Sequence, residues 1–145
     1  GQWERGIRHG IGTYIMILQV PSLLGEGVDD VEWSYTGAWK DDVRTGQGKE
    51  FDPRTGETYT GEFVKNARHG RGALVGPDGE TYEGGFVHGN KHGKGQETLP
   101  PPAPGMAPVV FQGRWENGEK LGLGVAVLRP DKARSKPLRI RVFGV

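Results

Sequence analysis

Four histidines, a recurring Gly-x-Gly and a basic C-terminal stretch are the parts of this chain whose residue types and spacing bear on chemistry. His9, His69 and His92 each stand immediately before a Gly-x-Gly. Imidazole is a common metal ligand, but two ligands on one zinc must approach within about 4 Å, given Zn–N near 2.1 Å. Equivalent residues on successive hairpins of a sheet lie two strands apart, about 9–10 Å, so these three do not share a metal. His88 and His92 have the i, i+4 spacing of a helical metal pair, yet Gly89 and Gly93 argue against a helix there. The histidines are read as structural. The Gly-x-Gly never extends to Gly-x-Gly-x-x-Gly, and no Gly-Lys-Ser/Thr phosphate loop exists. Ser22, Ser34 and Ser135 lie in no nucleophile elbow. The acids are read as scattered through turns and outward strand positions, which supports no acid–base pair. The expectation is a chain without catalytic residues, cofactor, metal or small-molecule substrate.

Charge narrows the partners. Lys plus Arg is 19 and Asp plus Glu 18, for a net charge of +1, so no nucleic acid is expected. Residues 129–141 concentrate six cations, Arg129, Lys132, Arg134, Lys136, Arg139 and Arg141, against Asp131 alone. Contact with phosphate or anionic lipid is the sharper reading of that tail. Within it Leu138-Arg139-Ile140-Arg141-Val142 alternates as an edge strand would. Cysteine is absent, which excludes disulfide staples and a thiolate nucleophile. The longest apolar run, Tyr14 to Leu24, is 11 residues, short of the roughly 18 needed to cross a bilayer. The chain does not open on Met, which predicts a processed product or a stretch of a longer chain.

The elements that position these residues follow from an internal period. Tyr82-Glu83-Gly84-Gly85-Phe86 is followed by a polar turn and His92-Gly93-Lys94-Gly95. The frame recurs from Tyr59 through Gly61 and Phe63 to His69, Gly70 and Gly72, and from Tyr35 through Gly37 and Trp39 to Gly46 and Gly48. A fourth copy runs from Phe111 through Gly113 and Trp115 to Gly122 and Gly124. A fifth starts inside its own first strand, with Trp3, His9, Gly10 and Gly12. Aromatic-x-Gly-x-aromatic alternates with period two, so both rings and the glycine share one strand face. Lys-Asn, Glu-Asn-Gly and His-Gly-Asn supply the turn. Both glycines of Gly-x-Gly are expected to leave hollows into which rings fit. A lone hairpin cannot hide its rings, so neighbours must stack. The predicted fold is all-β, an elongated single-layer antiparallel sheet or solenoid of about five hairpins over residues 1–128. The units lie near 1–34, 35–58, 59–81, 82–110 and 111–128, with residues 129–145 as a basic tail.

Arg68-His69-Gly70-Arg71-Gly72 and Lys91-His92-Gly93-Lys94-Gly95, set after Tyr-x-Gly-x-Phe, resemble the MORN repeat (membrane occupation and recognition nexus). Thr45 and Leu121 depart from it at the His position and Phe111 at the Tyr position. The resemblance implies a non-enzymatic scaffold or protein-docking subunit whose partners are other subunits of a larger assembly. It further implies an intracellular setting, with a cytoskeletal or ciliary assembly favoured and an organellar membrane complex or phospholipid tether as the alternative.

Two irregular stretches are candidate partner contacts. The apolar insertion after the first frame includes Tyr14, Ile15, Met16, Ile17, Leu18, Leu23 and Leu24. It is expected either to fold back as a cap on the first hairpin or to meet a protein or bilayer surface. Pro100, Pro101 and Pro102 open a proline-rich stretch, read as a semi-rigid spacer or as a docking segment for an aromatic groove.

Overall fold

The computed structural model describes residues 1–128 and 138–143. Those residues form twelve strands and no helix. β1 (Trp3–Glu4) and β2 (Ile7–Arg8) make a small separate pair. The large sheet runs in chain order through β3 (Gly10–Pro21), β4 (Val28–Lys40), β5 (Val43–Asp52), β6 (Glu57–Val64) and β7 (Ala67–Val75). It continues through β8 (Thr81–Val87), β9 (Asn90–Leu99), β10 (Val109–Glu116), β11 (Glu119–Leu128) and β12 (Leu138–Phe143). Every pairing is antiparallel, and β3 and β12 are the open edges. The expected all-β array of hairpins is what folds.

Turn chemistry sets the hairpins. Asp41-Asp42, Lys65-Asn66, His88-Gly89 and Asn117-Gly118 hold positive φ at both central positions, between 47° and 89°. Two successive left-handed residues make the type I′ turn, whose twist matches that of the flanking strands. The second turn residue also staples its repeat to the one before. The N–H groups of Asp42, Asn66, Gly89 and Gly118 donate to the carbonyls of Arg8, Arg44, Arg68 and Lys91, at 2.9–3.1 Å.

The glycines divide into two jobs, which corrects the expectation that both members of Gly-x-Gly make hollows. The first member, Gly10, Gly46, Gly70, Gly93 or Gly122, has φ between +61° and +75°. It bends the return strand at the irregularity where pairing shifts, for example between Gly61 and Phe63, a backbone shape that glycine adopts without steric penalty. The second member makes room. Gly12, Gly37, Gly48, Gly61, Gly72, Gly84, Gly95 and Gly113 are cross-strand partners in one unbroken row. The tyrosines lie over this row. A Cβ added at Gly48 or Gly95 would stand 2.5 Å from the Tyr35 or Tyr82 ring. Gly124 serves Phe111 in the same way.

Rings then pack edge to face without a break. Centroid separations are 5.1 Å for Trp39–Tyr35, 5.0 Å for Tyr35–Phe63, 5.2 Å for Phe63–Tyr59 and 4.9 Å for Tyr59–Phe86. Phe86–Tyr82, Tyr82–Trp115 and Trp115–Phe111 follow at 5.3, 5.0 and 5.3 Å. Phe63, Phe86 and Trp115 thus each wedge between the first aromatics of their own and the preceding repeat. The hydroxyls of Tyr35, Tyr59 and Tyr82 donate to the carbonyls of Ala38, Glu62 and Gly85 at 2.9–3.0 Å. Burying a phenol therefore leaves no orphaned donor.

Trp3 is a further correction: it is 63% exposed, not packed. The buried second aromatics rest on a ring four residues earlier, as Trp39 does on Tyr35, and among the described residues no ring packs on Trp3. The apolar insertion does not fold back as a cap. Residues 10–21 are one continuous strand paired in register from Gly10–Trp39 to Pro21–Val28, so the first long hairpin overhangs the array. Residues 100–108 close a loop whose ends, Leu99 and Val109, are cross-strand partners, and Pro100, Pro101 and Pro102 are exposed on it.

Two substitutions test this packing. Tyr82→Ala is expected to lower unfolding free energy by about 3–5 kcal/mol in urea denaturation. Gly95→Ala is expected to cost about 1–3 kcal/mol or more, since one added methyl must displace that ring. A Gly95→Ala variant as stable as the parent would contradict the fit between glycine row and rings.

Candidate functional site

The face that carries the rings also carries a ladder of cations. Each frame has Arg or Lys two residues before its Gly-x-Gly, at Arg8, Arg44, Arg68, Lys91 and Lys120. Strand alternation aims that side chain at the ring face. Arg8 lies 4.6 Å from the Tyr14 centroid and 4.3 Å from that of Trp39. Arg44 is 5.5 Å from Tyr35, Arg68 5.2 Å from Tyr59, Lys91 4.9 Å from Tyr82 and Lys120 4.8 Å from Phe111. Cations at such distances are drawn to the negative face of the ring. They also cover it, which is how Tyr35, Tyr59 and Tyr82 reach at most 1% exposure in an open sheet.

Two carboxylates lock the ladder, and both correct the reading of the acids as outward-facing. Glu50 and Glu97 are buried on the ring face, as cross-strand partners of Tyr35 and Tyr82. Glu50 accepts from Arg44 at 2.5 Å and from Arg68 at 2.9 Å. Arg68 reaches on to Glu57 at 3.0 Å. Glu97 lies 3.0 Å from Lys91 and 2.5 Å from Lys120. Each glutamate therefore ties the cation of its own repeat to that of the next. The equivalent place in repeat three holds Leu74, which packs on the same cluster.

Titration follows these contacts. Burial pushes the Tyr59 and Tyr82 hydroxyls up to about 12. Burial raises Glu97, but its hydrogen bonds from Lys120 and Lys91 outweigh that and hold it below the usual carboxylate range. Burial opposes the charge on Arg68, and Glu57 and Glu50 more than restore it. Among the described residues no buried side-chain nitrogen or oxygen lacks a partner, and no group of three or more metal-ligating side chains forms. His69 and His88 stand edge to face at 5.9 Å.

The face opens at the first two repeats. Tyr14, Met16, Leu18, Trp33 and Trp39 wall a cleft of about 370 Å³ whose rim includes Arg8 and Arg44. Tyr14 packs on Trp33 and Trp39 at 6.3 and 6.1 Å, and Leu18 rests against the core. Alternation sends Ile15 and Ile17 to the opposite face, each 55% exposed. Leu23 and Leu24 are 97% exposed in the segment joining β3 to β4. The structure thus brings Tyr14, Met16 and Leu18 together and leaves Pro100, Pro101 and Pro102 apart from them. Of the tail cations, Arg139 and Arg141 fall on β12, paired with Val127 and Val125. Arg129, Lys132, Arg134 and Lys136 lie outside the described residues.

A tyrosine with a raised folded pKa contributes fully below its unfolded value and loses that contribution as pH rises through the folded one. Stability is therefore expected to fall between pH 10 and about 12, and Tyr82→Phe should shrink that alkaline limb. Glu97 has the opposite sign: its contribution is lost as pH falls through its depressed value. Urea unfolding across pH checks both, and a flat alkaline limb would contradict the burial of the hydroxyls.

No curated protein matches this chain. The MORN repeat family model matches it at residues 1–16, 35–53, 59–81, 82–101 and 111–128, one stretch on each ring-and-glycine frame. With matches over more than half its length, and with the hairpins those matches call for, the chain belongs to the MORN repeat family.

Proposed function

We propose that this chain is a non-catalytic docking scaffold and that a partner protein seats on the overhanging first hairpin. MORN repeats are modules for protein or lipid interaction. The carrying observation is an exposed apolar set on one hairpin: cations cover the rings, whereas Ile15 and Ile17 on the opposite face of β3, and Leu23 and Leu24 in its turn, stand exposed. No charged residue occurs between His9 and Glu26, and isolated sheets blunt such an edge with charge or proline. An apolar edge of this kind suits burial by another protein.

Kinship with the family supports a setting inside a larger assembly, with a cytoskeletal or ciliary one as our preferred reading and an intracellular location to match. An accessory role in an organellar membrane complex, or lipid tethering through the basic tail, is the alternative.

Ile15→Lys, Ile17→Lys and Leu23→Asp together are expected to abolish co-purification with the native assembly while leaving the melting temperature within a few degrees, since these side chains are largely exposed and belong to no buried cluster. Undiminished co-purification would overturn the proposal.

A further inference from the structure

The side of the sheet away from the rings holds an opening at repeat four. In repeats one and three, the residue between the glycine and the second aromatic sends an oxygen to the return strand. Gln2 Oε1 accepts from the Ile11 N–H at 3.2 Å, and Glu62 Oε2 accepts from the Arg71 N–H at 3.3 Å. Those oxygens fill the space beside the left-handed glycines Gly10 and Gly70. Repeat four has Gly85 in that position. The space beside its left-handed glycine, Gly93, is empty to 4 Å. The Lys94 N–H, counterpart of those of Ile11 and Arg71, has no such oxygen from its own repeat.

Cations flank this place: Arg71 is the cross-strand partner of Gly85, and Lys94, next to Gly93, is that of Arg114. A shallow groove of about 510 Å³ is lined by Arg71, Lys94 and Arg114, with Glu83 as its one carboxylate and the backbone of Gly95 and Gly113 between them. Lys94 and Arg114 are cross-strand partners, and like charges directly opposite destabilise a sheet. The ion pairs among the described residues engage Arg8, Arg44, Arg54, Arg68, Lys91 and Lys120, and none of these three.

We propose that this groove is an oxyanion site that takes a phosphate group. The group stands where Glu62 places its carboxylate in repeat three, accepts from the Lys94 N–H, and is held by the Arg71, Lys94 and Arg114 side chains. Three cations against Glu83 leave a positive surplus that a doubly charged phosphate matches better than a carboxylate does. A lipid headgroup and a soluble phosphorylated molecule carry the same group.

Titration with inorganic phosphate, read by amide NMR, is expected to shift the Lys94 amide saturably. The Arg71 amide, already occupied by Glu62, should move little. Lys94→Gln and Arg114→Gln should each weaken binding about tenfold, and both together should abolish it. Lys49→Gln, in repeat two, should leave it unchanged. All three side chains are exposed, so the variants should keep the parent fold. Pelleting with phosphatidylcholine vesicles that contain phosphatidic acid, reversed by inorganic phosphate, would support the site with a lipid source. Saturable phosphate binding without pelleting would support it with a soluble one. No saturable shift at Lys94, or equal affinity in the double variant, would overturn the proposal.

Discussion

The fit of an aromatic ring onto backbone stripped of side chains is the constraint on which the whole array depends. A row of glycines crosses the sheet in register from Gly12 to Gly113, and Tyr35, Tyr59, Tyr82 and Phe111 lie in the channel this row leaves. Strand glycines weaken a sheet in isolation, through lost packing and added chain entropy. Here the loss is returned by the ring, because each of the large rings removes on the order of 150–250 Å² from water. The second aromatic converts these separate fits into one cluster. Phe63 touches both Tyr35 and Tyr59, and Phe86 touches both Tyr59 and Tyr82. Stability is therefore a property of neighbouring repeats, as expected for a one-dimensional stack.

Charge completes what the rings begin. A single sheet has no second layer to cover its apolar face, and most folds supply one. This chain uses cations for the purpose. Arg44, Arg68, Lys91 and Lys120 lie over the rings with apolar stems inward, and Glu50 and Glu97 fix them in pairs across repeats. The opposite side of the sheet carries no such cluster of rings, only local contacts such as those of Gln2 and Glu62. There the fourth repeat departs from the third, through Gly85 in place of Glu62, and the departure creates a basic groove.

Much of this was legible in the sequence, and the illegible parts have physical reasons. Alternation around Tyr35, Tyr59 and Tyr82 specifies strands, a shared face and a hairpin period. The edge strand at Leu138–Phe143 was legible from its own alternation. Glycine, however, has two uses, open space and left-handed φ, and spacing alone does not separate Gly70 from Gly72. The buried Glu50 and Glu97 were hidden because their slot is not repetitive: it holds Tyr14, Leu74 and Ala126 in the other frames. The cation before each Gly-x-Gly recurs in all five frames, but in three of them it stands beside a histidine, whose residue type bears more directly on chemistry. Trp3 obeys the pattern but not the packing: among the described residues no ring lies against it. The run from Tyr14 to Leu24 is apolar on both strand faces, so periodicity could not tell an overhanging strand from a cap.

The most direct test of the central fit is the α-proton chemical shift of the row glycines. Protons held against the face of an aromatic ring move upfield and show nuclear Overhauser contacts to it. Gly48, Gly72 and Gly95 are predicted to show both, to the rings of Tyr35, Tyr59 and Tyr82 respectively. Ordinary glycine shifts without those contacts would contradict the account.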